Sequence, residues 1–209
     1  MKFGKLVTLN KVTGAKKIKV GITGGIGSGK SAFSSAIKEK GFPVILADEI
    51  AKEILATDPL AKELIIKEFG QEAFPGDKLN TRYLAEKVFP NPGNVEIINA
   101  IIHPPTIKKI NSLMKLELLK QNIVFVEAAL IYESELEDMF DLIVLITSDD
   151  EIKKKRKILQ GMSESDFMMR LQNQIKDEEK AKLADFIFIN NGAKKDLYNK
   201  ADLLLKLIL

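Results

Sequence analysis

The residues from Gly24 to Ser31 have the types and spacing of a phosphate-binding loop. They read Gly-Gly-Ile-Gly-Ser-Gly-Lys-Ser and fit the P-loop pattern G-x-x-x-x-G-K-[ST]. Glycines allow backbone N–H groups to converge on phosphate oxygens, and the positive end of a following helix adds attraction. In such a loop, Lys30 can reach the terminal phosphates and the Ser31 hydroxyl can bind Mg²⁺. The alternative is a chance glycine-rich turn, which the match at eight positions disfavours, so we predict that the chain binds a nucleoside triphosphate.

Two acidic residues follow predicted strands in the same way as the P-loop. Asp48 comes after the strand Val44–Leu46, and Glu127 comes after an apolar strand at residues 123–126. Ligands of a parallel sheet bind beyond the carboxyl ends of its strands, so all three features are predicted to face one crevice. Asp48 is either a base that orients an acceptor hydroxyl or a helix N-cap. Glu127 either supports a metal ion or is a capping or solvated carboxylate.

Other candidate residues have two interpretations each. His103 is the only histidine and precedes Pro104, so it is either a structural turn residue or a ligand contact. The basic run at residues 153–157 is either a solvated helix face or part of a lid that supplies cations to a transferring phosphate. Arg156 and Arg170 are the candidates for that role, because arginine presents a planar fork to phosphate. The Asn-Lys-Ala-Asp run at residues 199–202 imitates a guanine-binding motif, but it lies in a helical pattern and we interpret it as coincidence.

Composition excludes several classes of protein. The 209 residues suit one α/β domain with insertions, and the net charge of +3 is too mild to indicate nucleic acid or an anionic membrane as a partner. The absence of cysteine excludes disulfides and thiolate metal sites, and it is compatible with a cytoplasmic location. No apolar run reaches the roughly 18 residues that span a bilayer. Residues 1–17 contain five lysines and no acid, and we expect a flexible basic tail.

The elements that must position these residues alternate between strand and helix. Short apolar strands are predicted at residues 18–22, Val44–Leu46, 123–126, 142–146 and Phe186–Ile189. Helices are predicted at residues 31–40, Asp150–Leu159, 163–174 and Lys194–Ile208, and another between Asp58-Pro59 and Gly70. The segment from residue 49 to 120 is a mostly helical insertion, interrupted by prolines at 90–92 and 103–105. This alternation predicts an α/β fold with helices on both faces of a parallel sheet.

Taken together, the motifs resemble those of the dephospho-coenzyme A kinase family over residues 18–208. The matching stretches are residues 21–31, 43–48, 81–84 with 88–89, 99–104, 130–133, Arg170 with Gln174, and 184–185 leading to Asn190. The resemblance implies a three-layer P-loop kinase fold with a central parallel sheet, a helical acceptor-binding insertion and a helical lid. It further implies a cytoplasmic enzyme that uses ATP and Mg²⁺ to phosphorylate the ribose 3′-hydroxyl of dephospho-coenzyme A. We expect no nucleic acid or membrane partner, and a monomer or weak homo-oligomer.

The resemblance also implies roles for individual residues. The catalytic residues would be Asp48, Lys30 and Arg156. ATP would be bound by Gly25, Ile26, Gly27, Ser28, Gly29, Lys30, Ser31, Ala32, Arg156 and Asn190. The acceptor would be bound by Asp48, Arg82, Asn99, His103 and Arg170, and Mg²⁺ by Ser31, with Glu127 in an indirect role. The expected nucleotide-binding core is 18–48 with 121–209, including a lid at about 150–180, and the expected acceptor-binding insertion is 49–120.

The chain departs from the family pattern at several positions. Ala32 replaces the usual threonine, Leu46 and Glu127 each replace an aspartate, and Ala129 replaces a proline. The second lid arginine expected after Arg156 is missing, and Lys157 or Arg170 is the predicted substitute. Two alternatives stay open, namely another small-molecule P-loop kinase for a nucleoside, nucleotide or sugar, and a non-catalytic nucleotide switch.

Overall fold

The computed structural model describes residues 16–209, so most of the expected basic tail lies outside the described residues. The chain divides into two compact units. The sheet unit consists of the described residues up to Ile45 together with Leu116–Leu209, and the helical unit consists of Leu46–Lys115. No helix among residues 16–209 is long and apolar enough to cross a membrane.

Five strands form the central sheet in the order β2-β3-β1-β4-β5. Their bounds are β1 Ile18–Thr23, β2 Val44–Leu46, β3 Ile123–Glu127, β4 Leu142–Thr147 and β5 Phe186–Ile189. β1 lies in parallel register between β3 and β4, with Ile22 opposite both Glu127 and Val144. β4 also pairs in parallel with β5. The predicted parallel sheet is confirmed, and its central strand carries the P-loop at its carboxyl end.

Nine α-helices accompany the strands within the described residues, eight between strands and one after β5. They are α1 Lys30–Glu39, α2 Ala47–Thr57, α3 Pro59–Phe69, α4 Thr81–Val88, α5 Pro92–Lys120, α6 Asp150–Leu159, α7 Glu164–Gln172, α8 Asp177–Leu183 and α9 Lys194–Ile208. The predicted starts of two helices are confirmed by their caps. The Asp58 carboxylate accepts from the Ala61 N–H at 2.8 Å, and the Ser163 hydroxyl accepts from the Asp166 N–H at 3.1 Å.

The main core lies between the sheet and two helices that cover one of its faces. Phe33 of α1 and Leu197 of α9 are buried against Val20 and Val144 of the central strands. The Phe33 ring also stacks on Phe188 of β5, with ring centroids 5.6 Å apart. Burial of β1, β3 and β4 on both faces accounts for their nearly continuous apolar sequences.

One expectation about the helices is wrong, and one helix was not predicted. The interruption predicted at residues 103–105 does not occur, because α5 continues through Pro104 and Pro105 to Lys120. Each proline removes one helical N–H, and the burial of Ile110 and Met114 in the following turns of α5 stabilises the continuous helix. The helix predicted at residues 163–174 ends at Gln172, and α8 follows it as a short, charged helix that the apolar pattern did not indicate.

Candidate active site

The P-loop joins the end of β1 to the start of α1, as the sequence predicted. Two of its glycines, Gly27 and Gly29, are required because the loop backbone lies very close to other segments. Gly29 has φ of 103°, and a Cβ atom there would lie 2.2 Å from Nδ2 of Asn190. Gly27 has φ of 77°, and a Cβ atom there would lie 2.7 Å from the carbonyl oxygen of Lys153. Any side chain at these positions would be strained and would also displace a neighbouring segment. The loop backbone is therefore held in close contact with α6 and with the residue after β5.

Protein atoms already engage several polar groups of the loop. Lys30 Nζ donates to the Gly24 carbonyl at 2.7 Å, so the ammonium group folds back along the loop. The Ser28 N–H donates to the Gly25 carbonyl at 3.2 Å, and the Ala32 N–H donates to the Gly29 carbonyl at 3.1 Å. The Ile26 N–H donates to Oε1 of Gln174 at 2.9 Å, so Gln174, which lies in the segment expected to form a lid, contacts the loop directly.

Ser31 and Glu127 meet beside the loop. Glu127 ends β3, which neighbours β1, and the Ser31 hydroxyl donates to its Oε1 at 2.8 Å. The Glu127 side chain is buried, with 8% of the residue exposed, and its Oε2 has no hydrogen-bond partner within the described chain. A hydroxyl and a buried, half-satisfied carboxylate are hard oxygen donors of the kind that Mg²⁺ binds, usually together with water and substrate phosphate. These two residues therefore fit the metal role that the sequence predicted for them.

Arg156 and Asn190 support the loop from two further elements. The Asn190 side chain is buried, and its Nδ2 donates to the Ser28 carbonyl at 2.8 Å. Arg156 of α6 donates through Nη2 to the Asn190 carbonyl at 2.8 Å, and its Nη1 lies 3.4 Å from the Gly27 carbonyl. The structure thus brings both predicted residues to the P-loop, where they hold backbone carbonyls.

Two charged residues at the loop, Lys153 and Asp177, were not singled out from the sequence. Lys153 of α6 forms ion pairs with Asp177 of α8 at 2.5 Å and with Asp150 at 2.9 Å. Burial alone would lower the pKa of Lys153, but hydrogen bonds and charges from Asp177 and Asp150 outweigh it and raise the pKa, so the ammonium group stays protonated. A signal was available, because Lys153 lies one helical turn before Arg156 and therefore shares its face.

Comparison with known proteins identifies the family. The sequence model of the dephospho-CoA kinase family matches residues 18–196. The chain belongs to the dephospho-CoA kinase family. A Bacteroides fragilis protein named dephospho-CoA kinase is 36% identical over 178 residues, which cover 85% of this chain and 86% of the relative.

Solved structures of similar proteins extend over nearly the whole chain. A crystal structure from Thermus thermophilus superposes with a TM-score of 0.78 at 29% identity and covers 93% of this chain and 99% of its own. The structure of dephospho-CoA kinase from Campylobacter jejuni superposes with a TM-score of 0.63 at 29% identity, over 92% of this chain and 97% of that chain. The P-loop kinase fold predicted from the sequence is confirmed.

In this member of the dephospho-CoA kinase family, Asp48 lies in the first turn of α2. Leu46 is the N-cap residue of that helix, so the alternative interpretation of Asp48 as the N-cap is wrong. Asp48 is exposed, and no hydrogen bond or ion pair from residues 16–209 engages its carboxylate. Its position therefore leaves a free carboxylate at the amino end of a helix.

The other predicted acceptor-binding residues lie on three helices. Asn99 and His103 are one turn apart on α5, and burial lowers the pKa of His103, which favours its neutral form at pH 7. Arg82 of α4 is 90% exposed and pairs with Glu86 at 2.9 Å. Arg170 of α7 is exposed, and none of the described residues pairs with it. Asn99 and His103 thus share a helix face, whereas Arg82 and Arg170 are exposed cations on separate helices.

The Asn-Lys-Ala-Asp run at residues 199–202 is engaged by contacts within the chain. It lies inside α9, where Asp202 pairs with Lys40 and Lys200 donates to the Ile189 carbonyl. A guanine-binding motif instead follows a strand and keeps its aspartate available for the base. The interpretation of this run as coincidence agrees with these contacts.

Proposed function

We propose that this protein is a dephospho-CoA kinase that transfers the terminal phosphoryl group of ATP to the ribose 3′-hydroxyl of dephospho-CoA. The observation that carries the proposal is the pairing of Ser31 with the buried Glu127 beside an intact P-loop, in a chain that the family matches over residues 18–196. The reaction forms a bond between the acceptor oxygen and the γ-phosphorus and breaks the bond to the β–γ bridging oxygen. ADP and CoA are the products, and the hydroxyl proton passes to a carboxylate.

We assign binding of the phosphoryl donor, ATP, to the P-loop. Backbone N–H groups from Gly25 to Ala32 would bind the phosphates of ATP, and Lys30 would turn from the Gly24 carbonyl to the transferring group. Ser31 and Glu127 would hold Mg²⁺, which when bound neutralises negative charge on the phosphate oxygens. Arg156 and Asn190 would hold the loop in place for ATP. Arg156 donates to the carbonyls of Gly27 and Asn190, and Asn190 donates to the carbonyl of Ser28.

The acceptor side is assigned to Asp48 and the helical unit. Asp48 is an exposed carboxylate without a partner among residues 16–209, so it can accept the proton of the attacking hydroxyl. Arg82 and Arg170 would supply exposed cations for the acceptor's phosphates. Asn99 and a neutral His103 would supply uncharged hydrogen-bonding groups.

An acceptor panel tests the reaction. ATP consumption is measured with dephospho-CoA, adenosine and gluconate, and the position of the new phosphate on the product is determined by NMR. We expect turnover with dephospho-CoA and phosphate at the 3′ position. Turnover with gluconate and none with dephospho-CoA would contradict the proposal and favour a sugar kinase.

The variant Asp48→Asn tests the role of the carboxylate. Loss of a general base costs about 10²- to 10⁴-fold in rate, so we expect turnover to fall by that factor while ATP binding is kept. Glu49→Gln is the matched control, because Glu49 is the neighbouring exposed acid in the same helical turn and pairs with Lys52. Turnover of Asp48→Asn within a few-fold of the control would show that Asp48 is not the base.

A further inference from the structure

Lys153 is a buried cation to which the proposed reaction assigns no role. Only 3% of the residue is exposed, although it lies in a run of basic residues on α6 whose other members are partly or fully exposed. It forms ion pairs with Asp177 and Asp150, and the Thr147 hydroxyl donates to the same Asp177 oxygen at 2.5 Å. Buried ion pairs contribute little net stability compared with apolar residues of the same volume, so stability alone does not account for this arrangement.

The position of Lys153 relates it to the P-loop. A Cβ atom built on Gly25 would lie 3.4 Å from the Lys153 ammonium nitrogen. The same point lies 3.2 Å from Oδ1 of Asp177 and 3.6 Å from Oε1 of Gln174. One cationic nitrogen and two side-chain oxygens therefore converge on the first half of the loop.

The donors and acceptors in this cluster are arranged in pairs. The Ile26 N–H donates to Gln174, and the Lys153 ammonium group donates to Asp177. An amide N–H and an ammonium group are both donors that a phosphate binds, and the two acceptors that engage them, Gln174 and Asp177, are three residues apart in the chain. A phosphate at Gly25 could replace both protein acceptors if the segment that carries them moved away.

We propose that Lys153 is a second catalytic cation of the donor site, which exchanges Asp177 for the terminal phosphate when a nucleoside triphosphate binds. In the same exchange Gln174 releases the Ile26 N–H to the phosphate. Lys153 and Arg156 then act from one face of α6, with Lys153 at the terminal phosphate and Arg156 on the loop carbonyls. The inference rests on the proposed function, since it takes a nucleoside triphosphate as the phosphoryl donor.

Variants that replace charged side chains by neutral ones of nearly equal size distinguish a catalytic role of Lys153 from a structural one. Lys153→Met alone would leave the Asp177 carboxylate with little solvent and no lysine partner, so it is expected to destabilise the fold. The double variant Lys153→Met/Asp177→Asn removes both charges and should melt close to the wild type. We expect it to bind ATP about 10- to 100-fold more weakly, with ADP affinity changed less than threefold, because one charge-assisted contact to the terminal phosphate is lost. Its turnover should fall about 100-fold or more.

Two single variants, Lys154→Met and Asp177→Asn, serve as controls for the role of Lys153. Lys154→Met removes a neighbouring lysine that pairs with Glu164, and it should leave ATP affinity and turnover within twofold of the wild type. Asp177→Asn alone keeps the cation and removes its competitor for phosphate, so its ATP affinity should equal or exceed that of the wild type. A folded double variant with wild-type ATP affinity and turnover would overturn the proposal. If the double variant does not fold, a tenfold loss of ATP affinity in Asp177→Asn would overturn it.

The two proposals fail in different ways. If the wild type does not phosphorylate dephospho-CoA, the proposed function is wrong. The ratio of ATP to ADP affinity, measured by titration calorimetry without acceptor, still tests Lys153 in that case. If the wild type is active and this ratio is the same in the double variant, only the role of Lys153 is wrong.

Discussion

Replacement of Asn190 should show how far one side chain fixes the P-loop. Its Nδ2 donates to the Ser28 carbonyl at 2.8 Å, and both residues are buried. Asn190→Ala leaves that carbonyl without its partner and out of reach of water, which costs about 1–3 kcal/mol of unfolding free energy. For a chain of this size each kcal/mol lowers the melting temperature by roughly 2–4 °C, so we expect a decrease of about 2–12 °C. ATP affinity should fall as well, because the Ser28–Gly29 backbone loses its anchor.

Asn190→Asp separates the hydrogen bond from the volume of the side chain. It keeps the size but places a carboxyl oxygen against the Ser28 carbonyl, in a residue that is only 6% exposed. If the hydrogen bond dominates, the aspartate variant should melt at or below the temperature of the alanine variant. If lost volume dominates, the aspartate variant should melt near the wild type, which would refute the reasoning.

The assay for the Asn190 variants combines calorimetric melting with titration of ATP. Asn199→Ala is the matched control, because Asn199 is exposed on α9 and its side chain makes no hydrogen bond among the described residues. Asn190→Ala with a melting temperature and ATP affinity equal to those of Asn199→Ala would show that the Ser28 carbonyl does not need its partner.

Two further variants test other buried groups. Glu127→Gln should raise the Mg²⁺ concentration needed for half-maximal ATP binding about tenfold or more, yet raise the melting temperature without metal, since it removes a buried charge with one unpartnered oxygen; an unchanged Mg²⁺ titration would contradict its metal role. Burial, with the charges of Asp185 and Glu137, raises the pKa of Tyr132 to about 12. The unfolded chain therefore loses this proton first, and stability falls as pH rises above about 10. Tyr132→Phe should lose less stability than the wild type between pH 10 and pH 12 in denaturant titrations, and parallel loss in both proteins would contradict this cause.

The sequence correctly predicted the structural features that depend on residues close together in the chain. The P-loop, all five strands and the starts of the helices that Asp58 and Ser163 cap lie where the sequence placed them. In each case the pattern extends over a few adjacent residues, such as a carboxylate three positions before the N–H that it caps. Glu127, at the end of β3, was also identified from the sequence pattern, and Asn190, after β5, from the family resemblance, although the hydrogen bonds that they make were not.

The parts that could not be predicted depend on distant partners. Lys153 shares a helix face with Arg156, but its buried ion pair depends on Asp177, which lies 24 residues later in the chain. The continuity of α5 through Pro104 depends on apolar burial further along the helix, which outweighs the local cost of proline. Neither the Lys153–Asp177 ion pair nor the continuous helix follows from the spacing of neighbouring residues alone.

Strand order explains why these distant residues reach the P-loop. β1 lies between β3 and β4, so the residues after those two strands must lie beside the residues after β1. Glu127, the last residue of β3, accordingly meets Ser31, and Ser148, which follows β4 by one residue, accepts a hydrogen bond from Arg156 Nη1 at 3.3 Å. β5 extends the sheet beyond β4, and the Asn190 N–H donates to the Thr147 carbonyl at 2.7 Å, which brings the Asn190 side chain to the loop. Once the order of the strands is known, the positions that follow them are therefore the first places to look for residues that act on the bound phosphate.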